Sequence, residues 1–377
     1  MINTLRNNPA LAKLELLVNG VQFPKGIELQ ENEAPEKYIY DSSVTTQLKL
    51  PSEIILPQNI ISNVFLSEKS PLAIINRKLL YNGEEVCDIG FTPEANFSKK
   101  SLSDGTPASK IAVMYGLDIF AIFLNKYCVY FKEGEECEFC SIKYTRQKKG
   151  KDNPINLKLA HVVETLKLAM TLDRKLFNYV LVTSGAYANP DRGISEQMKY
   201  VDAMRKNDDG KLEYHLVTIP PTSTDLLKKL AEDGPNTVAF DIEVFSPDLF
   251  RKFCPGKEKQ IGYDTWLKIF SHASTLFPKN AVKAGFVCGL EPIETLVQGM
   301  EFFGKIGIPS SLNIFHPDEG TALANHPRPS REYLLEAFKE QARVNKEYGL
   351  IPIFPKFGRR SSLDTEVYRG FFDDKTS

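Results

Sequence analysis

Three cysteines, Cys128, Cys137 and Cys140, fall within 13 residues of a 377-residue chain, in the stretch KYCVYFKEGEECEFCSIKYTRQ. Thiols crowded at this spacing in a reducing compartment point to metal binding before disulfide formation. Three thiolates can hold three irons of a [4Fe–4S] cube and leave the fourth open, whereas a closed structural zinc site wants four protein ligands. An open iron implies chemistry. The next histidine or cysteine is His161, inside a predicted helix, so a Cys3His zinc site would need an unusual spacing. A zinc-stabilised barrel that only binds ligands stands as the alternative. Cys87, Cys254 and Cys288 stand alone with no CxxC pair left, which gives an auxiliary cluster little support; Cys288 reads as a small buried apolar residue.

The elements that must position this loop are legible from periodicity. From residue 111 onward, apolar strand-like runs alternate with amphipathic helical windows, the pattern of repeated βα units with parallel strands. The predicted strands cover 119–124, 177–183, 212–219, 236–244, 281–289 and 309–315, and the predicted helices 156–174, 194–206, 223–233, 262–277, 293–305 and 331–347. Right-handed crossovers curl such a series into a full or partial (β/α)6 TIM-like barrel, whose chemistry sits on loops after the strand C-terminal ends. The cysteine loop follows the first predicted strand, at that rim. Residues 1–110 mix short apolar stretches with Pro, Asn and Gly and read as a β-rich N-terminal extension or cap with little helix. Residues 91–110 are its best candidate linker or flexible loop. The barrel then occupies 111–330, and 331–377 supplies a C-terminal helix and tail that close it.

At this point the residues resemble the radical S-adenosylmethionine (SAM) superfamily, whose usual signature is CxxxCxxC after the first barrel strand. Here the spacing is Cx8CxxC, with an insertion that carries Gly134 for a turn, and Phe139 stands where the family has an aromatic near the SAM adenine. The resemblance implies SAM contacts from Thr183, Ser184 and Gly185 after the second strand. It implies a ribose contact from Glu243, which shares one strand face with Asp241. AGFVCGLE resembles the family's GxIxGxxE segment, matching Gly285, Val287 and Gly289 in register, with Glu291 one residue early. Gly320-Thr321 resembles a turn of the biotin-synthase-like branch, as do the long cysteine spacing, PDRG (190–193) and PGK (255–257). The implied cofactors are a [4Fe–4S] cluster and SAM, cleaved reductively to a 5′-deoxyadenosyl radical that abstracts hydrogen from a small molecule, with flavodoxin or ferredoxin as electron donor.

Substrate-facing candidates follow from strand alternation: Tyr214 or His215 on the third strand, Lys283 on the fifth, Asn313 and His316 on or after the sixth. Arg192 and Lys257 sit in rim loops suited to a carboxylate, and Lys356, Arg359 and Arg360 of the tail suit an anionic group. The bulk numbers exclude little else. Forty-seven basic against 48 acidic residues give a net charge of -1, which offers nucleic acid or anionic lipid no strong field, and the basic run at 146–151 reads as a solvated loop. No apolar run of membrane length and no signal-like N-terminus occurs, so the expectation is a cytoplasmic protein. A peptide substrate would ask the extension to bind a leader, usually with a winged-helix pattern that residues 1–110 lack.

Overall fold

The computed structural model describes residues 1–22, 53–149 and 155–373. The chain begins with two helices, α1 (Ile2–Asn7) and α2 (Pro9–Asn19), where the sequence pattern points to strands and turns with little helix. Asn8 explains the second: its side chain accepts from Ala10 N and Leu11 N, and Pro9 presets the first helical turn. An antiparallel pair follows, β1 (Glu53–Leu56) and β2 (Ile60–Asn63), and then a three-stranded meander of β3 (Leu72–Ile75), β4 (Lys78–Tyr81) and β5 (Glu84–Asp88).

Residues 91–110, expected as a linker, are instead held against the barrel. Phe97 is buried with its ring 5.4 Å from that of Phe120, and the Asp173 carboxylate accepts from Asn96 N and Phe97 N. Two anchors of this kind fix the segment.

The main sheet has seven strands, β6 (Ala112–Tyr115), β7 (Ile119–Phe123), β8 (Tyr179–Thr183), β9 (Glu213–Thr218), β10 (Thr237–Glu243), β11 (Val282–Cys288) and β12 (Ser310–Ile314), in sequential spatial order. All neighbours are parallel except β6, which pairs antiparallel with β7 across a tight turn. This sheet curls into a half-barrel. The six βα units expected from the sequence are present, with outer helices α5 (Leu159–Leu172), α6 (Pro190–Arg205), α7 (Thr224–Asp233), α10 (Tyr263–Leu276), α11 (Ile293–Lys305) and α12 (Arg331–Tyr348). Shorter helices decorate the loops: α3 (Tyr130–Glu133) and α4 (Ile142–Lys149) around the cysteines, α8 (Pro247–Phe253) and α9 (Pro255–Gln260) after β10, and α13 (Asp364–Tyr368) in the tail. Part of the basic run thus belongs to α4, and residues 150–151 lie outside the described residues.

Strand alternation divides the sheet into two chemistries. On β10 the outward residues Val238, Phe240 and Ile242 are fully buried against the helices, Phe240 lying 5.8 Å from Phe270, while Ala239, Asp241 and Glu243 face the barrel interior. Each large outer side chain so buried contributes about 1.5–3 kcal/mol. Stability is carried outside, and the interior is left free for polar groups.

Candidate active site

The interior of the half-barrel is a cavity of about 370 Å³. Its upper wall includes Phe139 and Cys140 of the cysteine loop, Thr183 at the end of β8, Glu243 at the end of β10 and Val287 of β11. Its lower wall includes His215, Asn313, Phe354 and Arg359. Seven strands and the tail therefore share one chamber.

The cysteine loop is built onto two neighbours. At the end of β8, Gly185 donates its N–H to Asn125 O, and a Cβ at Gly185 would come within 2.6 Å of Tyr127 O and 3.0 Å of Cys128 N. Only glycine lets the first cysteine pass so close. From the other side, Gly256 donates to Glu135 O and would bring a Cβ within 2.5 Å of the Tyr130 ring, while Glu138 N donates to Phe253 O. Lys259 adds bonds to Glu133 and Glu135, and Tyr130 Oη donates to Gln260. The PGK segment is thus the seat of the loop.

Cys128, Cys137 and Cys140 are close enough to influence one another electrostatically, and burial pushes the Cys128 thiol up to about 11. Cys137 is also hydrogen-bonded to the buried Cys254, a neighbour the sequence left standing alone. Among the described residues no three His, Cys, Asp or Glu side chains converge to hold one metal ion. A cube does not ask for convergence, because each thiolate takes its own iron. Three thiols from one loop, one of them on the cavity wall, fit that donor set.

Glu243 has φ +73°, a left-handed conformation rare outside glycine, at a shift in the β10–β11 register. The turn brings its carboxylate to Lys257, whose Nζ donates to Glu243 Oε1 at 2.5 Å and to Asp241 O at 2.6 Å. Burial pushes Glu243 up to about 7 and Lys257 pulls it back; the neighbouring carboxylates keep Lys257 charged. Lys257, expected in a rim loop to suit a carboxylate of SAM or substrate, is instead the buried counter-ion of Glu243. Gly285 on β11 has a different role from a general close approach: a Cβ there would overlap Asp241 Oδ1, so the glycine makes room for that carboxylate.

Several expected residues lie elsewhere. Tyr214 faces the outer helices and donates to Asp208 at 2.6 Å, because residue 215 takes the inward position on β9. Lys283 points inward but lies outside the cavity wall, donating to Ile351 O, and burial lowers it to about 7. Arg192 is absent from the wall; its segment is structural, Asp191 accepting from Thr222 and Ser223 while Gly193 packs under Tyr187. Ser184, Gly185 and Gly289 do not line the cavity either. Ser184 donates to Gly185 O, and Gly289, at φ +110°, leaves room for Pro329. Glu291 is a buried staple that accepts from Phe245 N and Ser246 N.

The floor comes from the tail. Phe354 packs edge-on against Tyr179 and His215, and Thr365 Oγ1 donates to Phe354 O. Arg359 donates to Asn313 Oδ1 at 2.7 Å, Ser311 Oγ at 2.5 Å and Asp364 Oδ2 at 2.8 Å. Arg360 also lines the cavity, stacked on Tyr115, while Lys356 does not. His215 Nδ1 lies 2.7 Å from Thr237 Oγ1, and His316 Nδ1 lies 2.6 Å from Asp318 Oδ1. Gly320, at φ +80°, sits beneath Tyr144 of α4.

No protein-family model matches the chain. It is 24% identical over 260 residues to bacteriochlorophyllide c C-7(1)-hydroxylase of Chlorobaculum limnaeum, covering 66% of this chain and 64% of that protein. It is 27% identical over 201 residues to lipoyl synthase of Histophilus somni, covering 52% and 55% respectively. The match therefore spans somewhat under two thirds of the first relative and about half of the second. Among solved structures, a radical SAM methyltransferase from Sphaerobacter thermophilus superposes with a TM-score of 0.48 at 12% identity, over 64% of this chain and 67% of that one. Its sequence relatives and its half-barrel sheet are consistent with the radical SAM superfamily. Homologues in this class use a [4Fe–4S] cluster and SAM.

Proposed function

We propose that the protein is an enzyme that cleaves SAM reductively at a [4Fe–4S] cluster held by Cys128, Cys137 and Cys140 and then abstracts hydrogen from a small-molecule substrate. One observation carries the reading: the wall that includes Cys140 and Phe139 also includes Thr183, Glu243 and Val287, so one cysteine and four of the residues matched to a SAM site border one cavity. When bound, the cluster and SAM supply a 5′-deoxyadenosyl radical. The chain's own residues do the rest. The three thiols hold the irons, Glu243 is oriented by Lys257 to accept from a ribose hydroxyl, and Phe139 and Val287 give the adenine apolar surface. Phe354 and the tail beneath it keep water from the radical's path. The long cysteine spacing with PDRG and PGK supports a place in the biotin-synthase-like branch. Among the described residues no helix is long and apolar enough to cross a membrane. The enzyme so proposed is cytoplasmic and takes its electrons from flavodoxin or ferredoxin.

The test is anaerobic reconstitution with iron and sulfide, followed by SAM and dithionite. Formation of 5′-deoxyadenosine is expected. A protein that binds SAM but never cleaves it would overturn the proposal.

A further inference from the structure

We infer that the Cys254 thiol donates a hydrogen bond to the sulfur of Cys137 and thereby makes the cluster easier to reduce. The inference rests on the cluster reading above and deepens it: Cys254 is a positioning residue that acts through a ligand and touches neither iron nor SAM.

Three observations carry it. The backbone sets the pair: Glu138 N donates to Phe253 O at 2.9 Å and Gly256 N donates to Glu135 O at 3.0 Å, so the cysteine loop and the segment entering α9 run antiparallel here. That register sets Cys137 opposite Cys254. The Cys254 side chain is wholly out of water, and its hydrogen-bonding neighbour is Cys137. The other two sulfurs are met by main-chain N–H groups, Cys128 by those of Tyr130 and Ala186 and Cys140 by that of Ile142, whereas Cys137 has this side-chain thiol beside its own N–H.

The direction and the effect follow from chemistry. A sulfur bound to iron carries no proton, so the hydrogen between the two sulfurs comes from Cys254. Its positive end offsets part of the negative charge that the cluster gains on reduction, and in a site shut off from water that offset is weakly screened. Lys257, three residues on and buried, acts on Cys137 in the same sense. One turn therefore supplies a dipole and a charge to the same ligand, and both favour the one-electron step that precedes SAM cleavage.

The test compares wild-type protein with Cys254→Ala, Cys254→Val and Cys254→Ser, each reconstituted with iron and sulfide. The midpoint potential of the cluster is read without SAM, by mediator titration followed by electron paramagnetic resonance. Cys254→Ala and the space-filling Cys254→Val should shift the reduction equilibrium about tenfold toward the oxidised cluster, a potential lower by about 59 mV for one electron. Cys254→Ser keeps a donor and should stay near the wild-type value, and all three should bind as much iron as wild type. Alanine and valine variants at the wild-type potential, or a serine variant that falls with them, would overturn the inference. So would iron lost from both Cys254→Ala and Cys254→Val, which would make Cys254 a ligand. Iron analysis of the wild-type protein comes first: no cluster there refutes the reading above and the inference with it, whereas equal potentials refute the inference alone.

Discussion

Glu243 and Lys257 form the pair on which the upper chamber turns, with side chains only 12% and 7% exposed. Lys257→Met leaves a buried carboxylate alone and should cost about 2–4 kcal/mol in urea unfolding, with weaker SAM binding alongside. Unchanged stability would show the pair to be incidental. Asp118 offers the opposite case: neither carboxylate oxygen has a partner among the described residues, and burial pushes it up to about 6 from 3.8. The folded state therefore binds its proton more tightly, and the penalty grows as pH rises from about 4 to 6 and is full above that. Asp118→Asn should raise stability at pH 7 by about 1–2 kcal/mol and have little effect at pH 3.5; a loss at pH 7 would refute this. The acids on β10 were legible from period-two spacing alone. Their partners were not, because Lys257 lies 14 residues beyond Glu243 and reaches it only through the packing of α9.

The elements repeat that division between local and distant information. The six βα units were readable because each long helix and strand carries its own period. Strand β6 was missed: four residues, three of them of intermediate burial, give too short a pattern, and antiparallel pairing at the edge breaks the βα rhythm. Helices α1 and α2 were missed for a related reason, their caps lying inside an Asn-rich stretch that reads as turn. The glycine turn after β8 was read as a SAM contact, whereas its packing role comes from the loop behind it. Gly185→Ala should push Tyr127 and Cys128 aside and lower iron bound after reconstitution, with the far-ultraviolet circular dichroism retained. Full iron loading would separate that turn from the cysteine loop. The tail makes a second joint, where Lys283 donates to Ile351 O. Burial depresses this lysine from 10.5 to about 7, so the unfolded chain holds the extra proton between those values and its penalty fades as pH rises through them. Lys283→Met should therefore gain most over wild type near pH 7 and lose that advantage toward pH 10, as read by thermal unfolding; a pH-independent difference would contradict the assignment.

At the scale of the molecule, the half-barrel is open between β12 and β6, and the ends of the chain meet there. Asn63 N donates to Arg360 O, Ile314 N donates to Ser361 O, and Lys13 pairs with Glu366 in full burial while also donating to Arg359 O. N-terminal and C-terminal segments thus brace the same side of the chamber, a relation between residues more than 340 positions apart that no local pattern contains. That Phe139, Thr183, Glu243 and Val287 share one wall was legible because their motifs follow strand order, and the floor was not, because it is assembled from tail and strand middles.

The central claim is tested most directly by 5′-deoxyadenosine formation in protein reconstituted anaerobically with iron and sulfide and supplied with SAM and dithionite. The account predicts about four irons per chain, formation of 5′-deoxyadenosine by the wild-type protein, and loss of both iron and product in Cys137→Ala and Cys140→Ala. Zinc bound in place of iron, or 5′-deoxyadenosine formed undiminished by the cysteine variants, would contradict it.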